Sequence, residues 1–474
     1  MSAKNAARSQ LLLTSRTSHR VSISLMSGSL SRMRFRWIVG ALCAALVAAA
    51  CASSTDTQTT PAETASSLVP TDDASEGGDS ADPEPETVEP TTTTGDPVED
   101  PAVAEIGTQN TEPPELAEQV ACSTVPAEGR VDVRSDGNRL STASIDLTTA
   151  SAFDVALPST IEWVVPSPTG GWLVTTTDQT AHQVTDAGVV IDLGSVGATP
   201  AIVDADGGIG SAFDGHDRFD DPLLDGRVVR SGSLLAVLAS PTDQYAHNVL
   251  GDAIEAAAIE WVDICDGTSG RIAVPAEDVI EGIAPILADI DGDDVVEVLV
   301  TLSNSSVGAR LAAYELDGPL LAESAPIGQG NRWRNQLAVG PFGPEGQTEI
   351  LDVQTPHIGG ILQAFQLVEG EGGATLERAA ASAGAFTSHP IRTRNLDMGI
   401  ALDVNDDGNI DALVSAFERD RIIGMTRTND PGGWAPIAEV PLPGTLTSNV
   451  AVSDFDVDNP AIAAGAGTTL RIWR

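Results

Sequence analysis

From about residue 125 onward the chain alternates between short runs of Val, Ile, Leu and Ala and breaks rich in Gly, Pro, Asn and Asp. No segment keeps a helical period for long, and "LGDAIEAAAIEWV" (250–262) is the one place where a helix competes. Apolar runs of this length, bounded by turn-forming residues, predict many short strands in an all-β sandwich, barrel or propeller.

Internal repetition decides among these. Four segments share one plan of apolar strand, tight acidic or Gly-rich loop, and second apolar strand. They are "APILADIDGDDVVEVLV" (284–300), "QLAVGPFGPEGQTEILDV" (336–353), "MGIALDVNDDGNIDALV" (398–414) and "NVAVSDFDVDNPAIAAG" (449–465). Their loops begin at Asp289, Pro341, Asp403 and Asp454, which are 52, 62 and 51 residues apart. A weaker copy, "PAIVDADGGIG", begins its loop at Asp204; "YAHNVLGDAIEAAAIEWVD" stands in the place of a further copy, and "LPSTIEWVVPSPTGGWLVTTT" starts the series. Seven such units predict a seven-bladed β-propeller with four-stranded blades over residues 121–474. Too little chain follows the last loop to complete its blade. The early segment "RVDVRSDGNRLSTASIDL" (130–147) is therefore expected to supply the missing strands and close the ring, which removes open sheet edges.

The loops carry the candidate chemistry. In "DIDGDDVVE", Asp289, Asp291, Asp293 and Glu297 fall at positions 1, 3, 5 and 9, and Val295 offers a carbonyl at 7. In "DVNDDGNID" the same places hold Asp403, Asn405, Asp407 and Asp411, with Asn409 at 7. Carboxylates this close repel one another, and apolar flanks draw them towards a low dielectric that sharpens the repulsion. A cation among them resolves the conflict. Alternating hard oxygen donors suit Ca²⁺, which takes six to eight oxygens at about 2.3–2.6 Å. An EF-hand would need its closing Glu at position 12 between helices, whereas here the last acid is at 9 and strands flank the loop. The loop of Asp454, Asp456 and Asp458 is one residue shorter and lacks the final acid, which makes it a third, weaker candidate. In 341–349, Pro341 and Gly343 replace the leading ligands and only Glu345 and Glu349 remain, so no metal is expected there, nor at Asp204. A hydrated acidic turn explains one such loop easily, and several in phase with the strand repeat less well.

With their strand context, these loops resemble the FG-GAP or VCBS repeats of integrin-α-like propellers. The resemblance rests directly on 289–297 and 403–411 and extends over the body through the blade count. It implies a propeller in which calcium braces individual blades structurally.

Charge refines the picture. The chain of 474 residues has a net charge of -43, and its only lysine is Lys4. Nucleic acid is thereby excluded as a partner, since phosphate binding needs basic patches. Residues 1–51 hold seven Lys or Arg and no acid, whereas residues 52–120 hold 17 Asp or Glu and no Lys or Arg. In "MRFRWIVGALCAALVAAACASS", from Met33, a basic start, a short apolar run and small residues precede Cys51. This placement resembles a bacterial lipoprotein signal and implies a lipidated Cys51 at the cell envelope; plain cleavage after Ala50 and a retained short anchor are the other readings. Residues 52–120, as in "DPEPETVEPTTTTGDPVEDP", read as a disordered acidic linker able to span on the order of 45 Å. With Cys43 in the signal and Cys51 assigned to lipid, Cys122 and Cys265 remain, and in an exported chain they are expected to pair.

For a ligand, "NRWRNQLAV" and "IRTRNLDMGIAL" each place Arg-x-Arg-Asn ahead of a repeat strand. Arg332, Arg334, Arg392 and Arg394 are candidates for an anion site, with Trp333 as a stacking surface and an anionic glycan or surface protein as partner. Pairing of these arginines with acids of neighbouring blades is the competing reading. No Gly-x-Ser-x-Gly elbow, phosphate loop or dinucleotide fingerprint is present, and the histidines lack metal-ligand spacing. A binding module is thus favoured over a propeller-fold hydrolase, lyase or dehydrogenase, and over a purely structural envelope lipoprotein.

Overall fold

The apolar runs become strands, as a computed structural model shows for residues 137–197, 199–203, 208–456 and 458–474. The leader, the linker, Cys51 and Cys122 lie outside these described residues, as does the loop beginning at Asp204. Among the described residues the helical turns are two 3-10 segments, His216–Arg218 and Pro356–Ile358.

The strands form a seven-bladed β-propeller. Blade one runs Ile161–Pro166, Trp172–Thr176, Thr180–Val184 and Val190–Ser195 as an antiparallel meander. Blade two is reduced to Ala201–Val203 and Ile209–Ser211 among the described residues. Blade three comprises Val229–Ser231, Leu234–Thr242, Glu255–Asp263 and Ser269–Ala273. Blade four comprises Ile286–Ala288, Glu297–Ser303, Arg310–Tyr314 and Leu320–Glu323. Blade five holds Arg334–Gly340, Glu349–Gln354, Ile361–Gly370 and Gly373–Ala381, and blade six Gly399–Asp403, Asp411–Ala416, Arg421–Arg427 and Trp434–Pro441. Blade seven has Leu446–Ser453, Ala461–Ala466 and Thr469–Trp473, with Ala152–Ala156 as its outermost strand. The first strands pack side by side around the ring, blade seven meeting blade one, and the Val228 N–H to Ala212 C=O bond (3.0 Å) links blades two and three.

Second strands are covered on both faces by the adjoining blades. That is why Trp172–Thr176, Glu297–Ser303, Asp411–Ala416 and Ala461–Ala466 are buried at every position and are mostly apolar. An outermost strand such as Ala152–Ala156 is covered on one face only. The core lies between blades: Ile161 and Val174 of blade one pack with Ala463 and Leu470 of blade seven. There a Cβ on Gly465 would stand 2.4 Å from Ile161 Cγ2, so blade seven needs glycine to approach this closely.

Two expectations about register are corrected. Ring closure comes from Ala152–Ala156, paired with Thr469–Trp473, and not from 130–147. Within that earlier segment, Leu140–Ser144 runs parallel to Gly399–Asp403 on the inner side of blade six. There Arg139 donates its N–H to the Leu337 carbonyl (3.2 Å) and Nη2 to the Val450 carbonyl (2.5 Å), tying blades five, six and seven together from inside. Ile145 and Leu147 enter the core, which commits the segment to the interior. In blade three, "YAHNVLGDA" connects the second and third strands, while Gly232 and Ser233 alone join the first two. "EAAAIEWVD" forms the third strand of that blade because its small residues and Ile259 are buried between neighbours.

Closure makes the last blade's core a stability determinant. Ile472→Ala, at a fully buried position beside Ala152–Ala156, should cost about 2–5 kcal/mol in urea unfolding. A loss well under about 1 kcal/mol would show that blade seven closes without tight packing.

Candidate functional site

In a meander of four strands, the first-to-second and third-to-fourth turns leave from one face of the ring. The second-to-third turns and the blade-to-blade connections leave from the other. All the acidic loops are first-to-second turns and so share a face.

The two complete loops have the same backbone. Positions 4 and 6 are left-handed in both, with glycine and aspartate exchanged: Gly292 (φ 86) and Asp294 (φ 67) in blade four, Asp406 (φ 58) and Gly408 (φ 86) in blade six. Their hydrogen bonds also correspond. The side-chain oxygen at position 3 accepts the N–H at 5, as in Asp291 with Asp293 (3.1 Å) and Asn405 with Asp407 (3.2 Å). Position 5 accepts the N–H at 7, Asp293 from Val295 and Asp407 from Asn409, both at 2.8 Å. Asp289 and Asp403 at position 1 accept the position 6 N–H groups of Asp294 (3.1 Å) and Gly408 (2.9 Å).

Position 9 opens each second strand and is buried. Glu297 Oε2 accepts the Ile290 N–H (2.6 Å) and Asp411 Oδ2 the Val404 N–H (3.2 Å). Their other oxygens, Glu297 Oε1 and Asp411 Oδ1, are buried without a hydrogen-bond partner. Burial pushes the Glu297 carboxyl up to about 7 and that of Asp411 up to about 6. In blade four, ligand oxygens of Asp289, Asp291 and Glu297 lie within 4.8 Å of one another. Asp293 stands outside this cluster, and the Val295 side chain is exposed.

Blade five supplies the internal contrast. Glu349 occupies the same buried position, but Arg427 of blade six grips it with two bonds of 2.7 and 2.8 Å. A guanidinium there does what a metal would have to do for Glu297 and Asp411. In blade seven the equivalent residue is Ala461, and no charge is buried. Asp454 accepts Ser141 Oγ (3.1 Å), and Asp456 accepts the Asp458 N–H (3.2 Å). That loop therefore lacks the buried, half-satisfied acid of the other two.

The opposite face gathers side chains that spacing along the chain did not connect. Glu281, fully buried before blade four, accepts Ser303 Oγ and faces His247 Nδ1. Trp333 donates Nε1–H to the Glu281 carbonyl (3.0 Å), stacks on His357 and meets His389 edge-on. His357 and His389 touch through their Nε2 atoms at 2.9 Å. Burial, then His247, pushes His357 down to about 4; burial, then His357, holds His389 well below the usual range. Nearby, burial and then Glu281 push Glu255 up to about 9. His357 and His389 come from separate connections and meet here, and their separation of 32 residues gave no signal.

The arginine site is corrected. Arg334 is 1% exposed, ion-paired with Asp352 at 2.9 Å and hydrogen-bonded to Ser324 and Gln363 (each 2.9 Å). Arg394 is held by Asp225 (2.5 Å) and Asp252 (2.6 Å), and Trp333 is buried. Arg332 and Arg392 remain exposed. An acidic body surrounds its few guanidiniums with carboxylates: Arg334 opens the strand Arg334–Gly340 and is buried on Asp352, whereas Arg332 precedes that strand and is exposed, so the two do not form one site. Cys265 lies exposed in the turn after Glu255–Asp263 and is disulfide-bonded; Cys122, its expected partner, lies outside the described residues.

No protein-family model matches this sequence, and no curated protein does. Among solved structures, the chain is similar to a protein provisionally described as a gluconolactonase, at 11% identity and TM-score 0.32, covering 70% of this chain and 94% of that one. It is also similar to the RRP9 WD40 repeats, at 10% identity and TM-score 0.29, covering 70% and 98%. Neither likeness bears on activity.

Because the Arg427–Glu349 pair is buried, removing one partner strands the other. Arg427→Met should cost about 3–5 kcal/mol in chemical denaturation. Adding Glu349→Gln should recover most of that loss; a double variant as unstable as the single one would show that Arg427 acts through packing.

Proposed function

We propose that this chain is an exported propeller of the FG-GAP/VCBS type, braced by Ca²⁺ in blades four and six, that serves as a binding module for a surface protein at the cell envelope. The carrying observation is the pair of buried, half-satisfied carboxylates, Glu297 and Asp411, at the heads of acidic turns, set against Glu349 neutralised by Arg427. Asp289, Asp291 and Glu297 would hold one ion; Asp403, Asn405, Asp407 and Asp411 the other, with carbonyls at Val295 and Asn409 completing the shells. Calcium supplies positive charge and oxygen coordination there, which fixes the turn and the strand it opens.

Bracing from one face leaves the loops of the other face free to vary, and loops on a rigid scaffold are the usual carriers of recognition. The anionic-glycan reading loses Arg334 and Arg394, whose charges are already met inside the protein. Export and tethering rest on the sequence, through Cys51 and the acidic linker. Among the described residues, no helix is long and apolar enough to cross a membrane. The proposed Cys122–Cys265 bond would fasten the end of that linker to blade three.

Thermal and urea unfolding with Ca²⁺ or EGTA, joined to metal analysis, test the bracing. With free Ca²⁺ at 100 times Kd, each site should add about 2.7 kcal/mol. Glu297→Gln and Asp411→Asn should each remove roughly half of the calcium-dependent gain. Identical unfolding in both buffers, with no bound ion, would end the proposal. For the tether, Cys51→Ser should move the protein from the membrane fraction to the soluble one.

A further inference from the structure

Blade two has two strands among the described residues, and the side of blade one that faces it stays open in its outer part. Val165, Leu173 and Ala181 of blade one pack on Ala201 and Val203 of blade two, which closes the inner part of this interface. Leu173, Gln183 and Ile191 are successive partners across blade one, so Ile191 lies on the same side, two strands further out. Val203 pairs with Ile209 and turns it towards blade one in the same way. Neither isoleucine is covered: Ile191 is 47% exposed and Ile209 46%, and Val189, on the same side as Ile191, is 55% exposed. Outermost strands elsewhere in the ring show what is missing. Ala152–Ala156, Leu320–Glu323 and Gly373–Ala381 bury Val155, Ala322 and Leu376, whereas Val190–Ser195 buries no residue.

We propose that an extended segment of another protein, apolar at alternate positions and carrying Lys or Arg between them, docks here as the third strand of blade two. The inference rests on the reading of this chain as a binding module for a protein, though not on the calcium bracing. The outer edge of blade two is open to a further strand. Ala212 donates its N–H to the Pro200 carbonyl (3.1 Å), so antiparallel alternation bonds Gly210 to Ile202 and turns the backbone groups of Ile209 and Ser211 outwards. Ser211 donates its N–H to the Asp214 carboxylate (2.8 Å) and accepts the Asp214 N–H (3.0 Å). The outward N–H and C=O of Ile209 meet no partner among the described residues. A strand added there would bond them and cover the apolar side of Val190–Ser195, the mode of recognition in which the main chain gives affinity and alternate side chains give specificity.

Charge selects the occupant. Beyond Ser211 the chain leads towards blade three through Asp214, Asp217, Asp220 and Asp221, all exposed, against the one guanidinium of Arg218; Asp192 is exposed on Val190–Ser195 itself. An apolar strip bordered by this excess of carboxylates favours a cationic segment. It disfavours a second copy of a chain with net charge -43, and equally residues 52–120, which hold 17 acids and no Lys or Arg.

The test uses the full chain with Ca²⁺ present and a fluorescent, acetylated peptide of alternating Lys and Val as probe, read by polarisation at physiological salt. This peptide should saturate one site per chain. It should bind about tenfold or more tightly than a peptide of alternating Lys and Ser, and one of alternating Glu and Val should not bind. Ile191→Ser removes apolar contact and Ile209→Pro removes the edge N–H; each should weaken binding about tenfold or more, the scale of one buried aliphatic side chain. Glu297→Gln, which bears on the bracing alone, should leave the affinity unchanged, so failure of the bracing and failure of this site read separately. Absence of saturable binding, equal binding of the Lys–Val and Lys–Ser peptides, or no effect of Ile191→Ser would overturn the proposal. So would a dimer in sedimentation, or slow hydrogen exchange at Ile209 without peptide, since a second copy or another part of this chain would then already hold the edge.

Discussion

A carboxylate placed where two blades close over it governs the chemistry of this molecule. Glu297, Glu349 and Asp411 each open a second strand, the layer most completely covered by neighbouring blades. Removing such a charge from water without a partner costs several kcal/mol, so each position needs its own compensation. Blade five meets the need with Arg427, donated from blade six. Blade seven avoids it with Ala461. Blades four and six surround the acid with further oxygens, the setting in which a bound cation is proposed as the compensation.

The same packing layer explains the composition. Aromatic residues are scarce because the gaps between blades are narrow and are filled by Ala, Val, Ile and Leu, with Gly465 at a point of closest approach. The interior segment from Asn138 to Leu147 adds hydrogen bonds to three blades before the chain reaches the rim. One stretch therefore binds inner strands, and the next, Ala152–Ala156, seals the outer edge. Closure and filling of the ring are achieved by one short stretch of chain, Asn138 to Ala156, a short reach at about 3.3 Å per extended residue.

Opposite faces carry opposite chemistries. First-to-second turns gather hard oxygen donors, whereas the other face gathers imidazoles, a stacked indole and buried carboxylates. This division follows from the meander, since every strand reversal of one parity leaves from the same side. Charges of the entering region obey it too: Asp397, which burial alone would raise, is held at about 2 by the guanidiniums of Arg227 and Arg139. The acidity of the chain thus falls into paired, coordinated or solvated groups according to position in the blade.

Much of this architecture was written locally. Strand runs, the phase of the acidic loops and the number of units depend on neighbours within about ten residues, and alternation of donors at 1, 3, 5 and 9 is a property of one turn. Hence Asp289 to Glu297 and Asp403 to Asp411 could be recognised in the sequence as equivalent, even with glycine and aspartate exchanged at two positions. Contacts between blades could not be read in the same way. Whether Arg334 faces solvent or Asp352, whether Glu349 is paired, and whether His357 and His389 meet are decided by how separate strands stack around the ring. The place of the segment 130–147, expected at the closing edge, is hidden for the same reason: its apolar pattern fits any covered strand, and only the closed ring determines which one is free to receive Leu140–Ser144.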